Sequence, residues 1–273
     1  MPPERRTLPP PPGTRSVEDI AFGPHARQAI DLHLPASGEI KGVVANIHGG
    51  SWQWLDRKVM AFWNVLDHGW AVVGMGYRMS DHAPFPAQIC DINAGLAKLA
   101  QIAPDYGLPM DRVAIMGLSA GGHLAALAGL ARDQPGFGPS HGIDIKGVID
   151  IYGPSDLISL DWQWQRDPTR PPSAVTKLLG ASVTADPHHA YRASPVAHVT
   201  DRPVMPFLFV HGDEDAVVPL SHSLVLHAQL TANGTESQLK VIPGGGHATP
   251  DMHAPPVQTL IADFLKKVLQ PNA

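Results

Sequence analysis

Four apolar residues, Val113-Ala114-Ile115-Met116, run straight into Gly117-Leu118-Ser119-Ala120-Gly121, and a helix-like run from His123 to Ala131 follows at once. A strand, a five-residue turn and a helix with nothing between them leave few folds open. The helix must pack back onto the sheet that holds the strand, so the turn has to be sharp. Glycines at both ends suit such a turn, because a Cβ at either place would crowd it. A serine on a turn of this kind presents its Oγ above the sheet, within reach of a base and a substrate. Ser119 is therefore the candidate nucleophile.

The rest of the chain repeats the alternation. Strands are expected at Val17–Phe22, Gln28–Leu34, Gly42–Ile47, Trp70–Met75, Arg112–Met116, Gly147–Ile151, Pro206–Val210 and Gln238–Ile242. The middle ones are continuous in Val, Ile and Leu, as parallel strands covered on both faces are. Helical spacing links Ile89, Ile92, Leu96 and Leu99, and again Val257, Leu260, Ile261, Phe264, Leu265 and Val268. Pro86 and Pro256 suit the first turns of these helices, where no intrahelical N–H bond is lost. Ser221 to Ala232 reads as another helix, capped by Ser221 and stopped by Asn233-Gly234. The pattern predicts an α/β sheet with helices on both faces, its first two strands pairing antiparallel at one edge. From Gly153 to Pro203 no strand is expected. That stretch, with Trp162, Trp164 and a short helical run at Ser173–Leu179, reads as a cap over the sheet, about 155–190.

Bulk properties remove several classes. The net charge is −5, with no basic stripe to neutralise phosphates, so nucleic acid is excluded as a partner. No apolar run approaches the roughly 20 residues of a membrane helix. Six of the first twelve residues are proline, so residues 1–16 read as an extended tail ahead of one domain over 17–273. The tail lacks the apolar core of a signal peptide, and as given the chain is expected to be cytoplasmic; a processed secreted form would read alike. The one cysteine, Cys90, excludes an internal disulfide and is expected in the core.

A serine nucleophile needs a base, a group that orients the base, and donors for the oxyanion. Such groups gather beyond the carboxyl ends of the strands in open α/β sheets. His48-Gly49-Gly50-Ser51-Trp52 follows the strand ending at Ile47. Its glycines let main-chain N–H groups approach a carbonyl, and the N–H groups of Gly50, Ser51 and Ala120 are the oxyanion candidates. His211-Gly212-Asp213-Glu214-Asp215 follows the strand at 206–210 and offers three carboxylates for the acid. Among fifteen histidines, only His247 sits in a glycine-rich turn, Gly244-Gly245-Gly246, after the last strand and before the final helix. It is the candidate base. No metal or organic cofactor is needed for this chemistry.

These residues, with Asp31-Leu32-His33-Leu34-Pro35, Tyr77-Arg78, Phe85-Pro86-Ala87-Gln88, Tyr152-Gly153-Pro154, Ser194-Pro195 and Gly246-His247, carry a likeness that runs from about Asp31 to Leu265. The chain resembles the α/β-hydrolase superfamily, and within it the small esterases of the hormone-sensitive-lipase and feruloyl-esterase-like branch. The resemblance implies the α/β-hydrolase fold, a mostly parallel sheet of about eight strands with a short cap. It implies the chain order serine, acid, histidine. It makes Asp215, the second aspartate of H-G-D-x-D, the triad acid. It also implies hydrolysis of short-acyl carboxylic esters, acylated sugars among them. Where the lipase branch has a third glycine this chain has Ser51, which keeps the N–H. The fragment His48 to Gln53 is similar to kynurenine formamidases of the same fold, so an arylformamidase or other amide hydrolase is the alternative.

Other residues are assigned more simply. Trp52, beside the oxyanion loop, and His123, just past Ser119, are expected at the substrate pocket. Trp54, Trp162 and Trp164 could line it as well as they could pack elsewhere. Asp186-Pro187-His188-His189 reads as a solvated helix start rather than a metal site, because adjacent histidines do not share a helix face. Arg78 and Asp81 are expected to brace a loop near the site.

Overall fold

The computed structural model describes residues 9–139, 141–167 and 169–270. Residues 1–8 of the expected tail lie outside them.

Eight strands form one sheet: β1 Arg15–Ala21, β2 Ala29–Leu34, β3 Gly42–Ile47, β4 Trp70–Met75, β5 Val113–Leu118, β6 Ile145–Ile151, β7 Phe207–Gly212 and β8 Ser237–Ile242. Their spatial order is β1-β2-β4-β3-β5-β6-β7-β8. β1 and β2 pair antiparallel, β2 joins β4 antiparallel, and every pair from β4 to β8 is parallel. All eight expected strands are present, β3 and β4 with the expected bounds and the other six with shifted ends. β1 starts at Arg15, so the last residues assigned to the tail belong to the sheet. β5 runs two residues past Met116, because Gly117 and Leu118 still pair with Asp150 and Ile151 of β6.

β2, β3, β4, β5 and β7 are buried at every residue. The period-2 geometry of a strand still sorts their side chains. Val43, Ala45, Ile115 and Phe209 enter the apolar core on one face, with Leu96, Leu124 and Leu226. Val44, Met116, Ile149 and Leu208 enter the core on the other, with Ile261, Phe264 and Leu265. Two cores on two faces explain why the central strands do not alternate in sequence.

The helices are α1 Ala87–Tyr106, α2 Ala120–Leu130, α3 Leu157–Gln165, α4 Ala174–Leu179, α5 Pro187–Arg192, α6 Ser221–Ala232 and α7 Pro255–Leu269. Pro256 lies in the first turn of α7 as expected, but Pro86 stands just before α1 rather than inside it. Ser221 is not a cap: Leu220 precedes α6, and no side chain caps it. Cys90 is half-buried on α1 rather than in the core, its Sγ 3.4 Å from the Gly136 carbonyl.

The stretch from Gly153 to Pro203 is more helical than its sequence suggested. It holds α3, α4 and α5, where the run at 173–179 and a helix start at Asp186 were expected but α3 was not. Each begins with a side chain that accepts the orphan N–H groups of the first turn: Asp156 on α3, Ser173 on α4 and Asp186 on α5. Buried Asp161 of α3 accepts hydrogen bonds from Ser173 Oγ and Thr176 Oγ1, tying α3 to α4. The Asp186–His189 stretch is the start of a helix, as expected.

Candidate active site

Ser119 stands between the end of β5 and the start of α2, with φ 55° and ψ −120°. A non-glycine residue there is strained by roughly 1–3 kcal/mol, and its surroundings must hold it. They do so through close backbone approach. A Cβ on Gly117 would overlap the Gly121 carbonyl, and one on Gly121 would overlap the Ile47 carbonyl of β3. The Ser119 N–H donates to Ile151 O at 2.8 Å.

His247 lies in the loop between β8 and α7. Its Nε2 is 2.9 Å from Ser119 Oγ, and its Nδ1 is 2.7 Å from Asp215 Oδ2. A carboxylate only accepts, so Nδ1 carries the proton and Nε2 is left to accept from the serine hydroxyl. The Tyr152 ring meets the imidazole edge to face at 4.9 Å. Residues 119, 215 and 247, distant in sequence, are thus joined in one relay.

Of the three carboxylates, only Asp215 is buried; Asp213 and Glu214 are exposed. Asp213 Oδ1 accepts the Gly244 N–H at 2.7 Å and braces the histidine loop. Asp215 Oδ1 accepts the N–H groups of Val217 and Val218, each at 2.9 Å. Burial alone would raise its carboxyl, but hydrogen bonds from His211 and His247 and the Val218 N–H hold it well below the usual range. His211 was not singled out from sequence. Its Nε2 is 2.7 Å from Val218 O, a pure acceptor, so Nε2 bears the proton; it also lies 3.4 Å from Asp215 Oδ2. Its Nδ1 accepts from Ser223 Oγ at 2.7 Å. The signal was its place in the H-G-D-x-D motif itself.

The oxyanion candidates sit where the backbone bends hardest. Gly50, Ser51 and Trp52 have φ of 102°, 53° and 57°. Gly50 O accepts from Gln53 N and Trp54 N, both at 2.9 Å, closing the turn. Tyr77 Oη donates to His48 O at 3.0 Å, and its ring stacks on His48 at 4.3 Å. Arg27 Nη1 donates to Leu55 O at 2.6 Å and pins the far end. Ala120 is the first residue of α2, so its N–H has no intrahelical acceptor. Tyr77 and Arg27 are further supports that sequence reasoning missed.

Two cavities of about 320 and 340 Å³ meet at Ser119, sharing Ser51, Trp54 and Val217 in their walls. Trp52 is buried and borders the first. His123, expected beside it at the pocket, is behind it instead. It is fully buried, takes the Trp52 Nε1–H at Nδ1 (3.3 Å) and donates from Nε2 to Ala193 O (2.7 Å). One helical turn beyond Ser119 points it into the protein, and it lines neither cavity. Trp54 and Trp164 line the first cavity; Trp162 is 65% exposed and lines neither. Arg78 donates three hydrogen bonds to Asp91, at 2.9, 2.8 and 2.8 Å, bracing the segment after β4. Asp81 is exposed and lies 3.6 Å from His82. Among the described residues no group of three or more His, Cys, Asp or Glu is placed to hold a metal ion. No helix among them is long and apolar enough to cross a membrane.

Comparison with known proteins places the chain. Its residues 30–230 match the BD-FAE family. Esterase LipC of Mycobacterium tuberculosis is 29% identical over 273 residues, covering 93% of this chain and 66% of its own length. Esterase LipQ of the same organism is 27% identical over 266 residues, covering 91% of this chain and 62% of its own. The chain thus spans about two thirds or less of the length of these relatives. A truncated carbohydrate esterase from gut microbiota superposes with a TM-score of 0.84 at 23% identity, covering 95% of this chain and 99% of the other, a likeness of fold. The chain is a member of the BD-FAE family and has the α/β-hydrolase fold.

Proposed function

We propose that this chain is a serine carboxylesterase acting on short-acyl carboxylic esters, with Ser119 as nucleophile, His247 as base and Asp215 as the acid that orients it. The observation that carries the reading is the unbroken relay from Ser119 Oγ to His247 Nε2 at 2.9 Å and from His247 Nδ1 to Asp215 Oδ2 at 2.7 Å. Ser119 Oγ attacks the ester carbonyl carbon as His247 Nε2 takes its proton. The carbonyl oxygen becomes an oxyanion facing the N–H groups of Gly50, Ser51 and Ala120. The carbon–alkoxy bond then breaks, and His247 returns the proton to the departing alcohol. Water, deprotonated by His247, attacks the acyl-enzyme; the bond to Oγ breaks as His247 returns the proton to Oγ, and the acid leaves. Asp215 stays ionised throughout and stabilises the imidazolium. Short acyl groups are favoured because the cavities, about 320 and 340 Å³, lie near the low end of ligand sites, roughly 300–1,000 Å³.

The test is hydrolysis of p-nitrophenyl esters from acetate to laurate, with N-formylkynurenine alongside. Short esters should turn over fastest, and Ser119→Ala should lower kcat by about four orders of magnitude or more. Substantial turnover by Ser119→Ala in a clean preparation would remove the nucleophile assignment. Faster turnover of N-formylkynurenine than of any ester would make the chain an amide hydrolase.

A further inference from the structure

The two cavities at Ser119 differ in charge. Proton delivery assigns the halves of an ester to them. His247 must hand its proton to the departing alkoxy oxygen, and His247 lines the second cavity but not the first. The alcohol half therefore belongs in the second cavity and the acyl half in the first. The second is walled by Leu55, Val59, Ala61 and Tyr152, with no Lys, Arg, Asp or Glu. Its other histidine, His48, is pushed down to about 4 by burial and is neutral.

The first cavity is lined by Arg170 and Lys177 and by no carboxylate among the described residues. Two such cations in a chain of net charge −5 run against its overall balance. Lys177, on α4, points Nζ at Gln53 Oε1 at 3.0 Å, a neutral partner that leaves its charge in place. Arg170 lies over the Trp164 ring at 4.7 Å. Its Nε forms an ion pair with Asp167 Oδ2 at 3.6 Å, which offsets part of its charge, so Lys177 is the principal cation of the cavity. The ties between Asp161, Ser173 and Thr176 fix α4, and with it the place of Lys177. A charge held at the wall of a partly enclosed site discriminates by sign more than it adds raw affinity.

We propose that the acyl half of the preferred substrate ends in an anionic group, which makes the substrate class the half-esters of dicarboxylic acids. The ester carbonyl sits at Ser119, and the free carboxylate meets Lys177 and Arg170. Hydrolysis then releases a dicarboxylate and a neutral alcohol. The inference rests on the esterase reading above.

The experiment compares kcat/KM, by proton release, for monoethyl adipate, for ethyl hexanoate as its neutral counterpart, and for the hexanoyl ester of glycolate, which puts the carboxylate on the alcohol half. p-Nitrophenyl acetate reports whether the esterase machinery works. Ratios within each protein cancel any general loss of turnover. Monoethyl adipate should exceed ethyl hexanoate by about tenfold at low salt. That ratio should fall about fivefold in Lys177→Met and further in Lys177→Met/Arg170→Gln, and should shrink in about 0.5 M NaCl. Lys177→Glu should bring it below one. Equal or better use of ethyl hexanoate by the wild type, an unchanged ratio in the variants, or preference for the glycolate ester overturns the proposal. Failure on every ester, p-nitrophenyl acetate included, overturns the esterase reading and this inference with it.

Discussion

Lowering the pH from 7 to 5 should remove about 4 kcal/mol of folding stability from this protein. His48, His123 and His222 are buried, and burial pushes each of them down to about 4. In the unfolded chain they return to the ordinary histidine value, roughly 6.5. Between those two values the unfolded chain holds three protons that the native protein lacks. Unfolding then takes up protons, and stability falls as the pH falls. Asp150 works the other way. Burial raises its carboxyl from 3.8 to about 6, so over that interval the native state holds a proton the unfolded chain has lost. By pH 5 each histidine has removed about 1.8 kcal/mol and Asp150 has restored about 1.3, which leaves the loss near 4. His33, His141 and His198, also lowered by burial, add to it. Against a typical total of roughly 5–15 kcal/mol, little margin remains. Urea unfolding followed by tryptophan fluorescence at pH 7, 6 and 5 gives the free energies directly, provided the urea slope stays constant. His222→Gln should flatten the pH dependence by nearly half, about 1.8 of the 4 kcal/mol. Stability that is flat or rises from pH 7 to 5 would refute the assignment of these histidines as neutral in the native state.

Further outcomes separate the roles at the site. Asp215→Asn should lower kcat on p-nitrophenyl acetate by about 10⁴, whereas Asp213→Ala, which loses the brace to Gly244 N, should cost less than about tenfold. The reverse order would move the acid role to Asp213. Gly121→Ala drives a Cβ into the Ile47 carbonyl and should destabilise the protein by about 3 kcal/mol or more. A thermal midpoint within a degree or two of the wild type would show that the turn after β5 has room the packing denies.

Much of this protein was legible from local pattern. The strands could be read because burial on both faces selects continuous Val, Ile and Leu. α1 and α7 could be read because one buried face repeats at helical spacing. α3 escaped because it is short and buries only Leu157 and Asp161, so no apolar face repeats and its one signal was the capping residue Asp156, whereas α5 was legible only as a start at Asp186. Ser119 and His247 stood out through the glycine-rich turns around them, since tight backbone is visible in sequence.

Which aspartate meets the histidine was not visible in the same way. Asp213, Glu214 and Asp215 are neighbours of similar chemistry, and resemblance alone favoured the last. Only the folded loop buries Asp215 while leaving the other two at the surface. Adjacency misled at His123, because one helical turn carries it from the Ser119 bend to the back of Trp52. Adjacency was silent on Lys177 and Arg170, which reach the Ser119 cavity from more than fifty residues further along the chain. Sequence determines what a residue's immediate neighbours and its repeat period dictate: strand, helix, turn and strained serine. The tertiary structure alone decides which distant side chains share a cavity and which carboxylate is desolvated, because both follow from how the loops at the strand ends pack against one another.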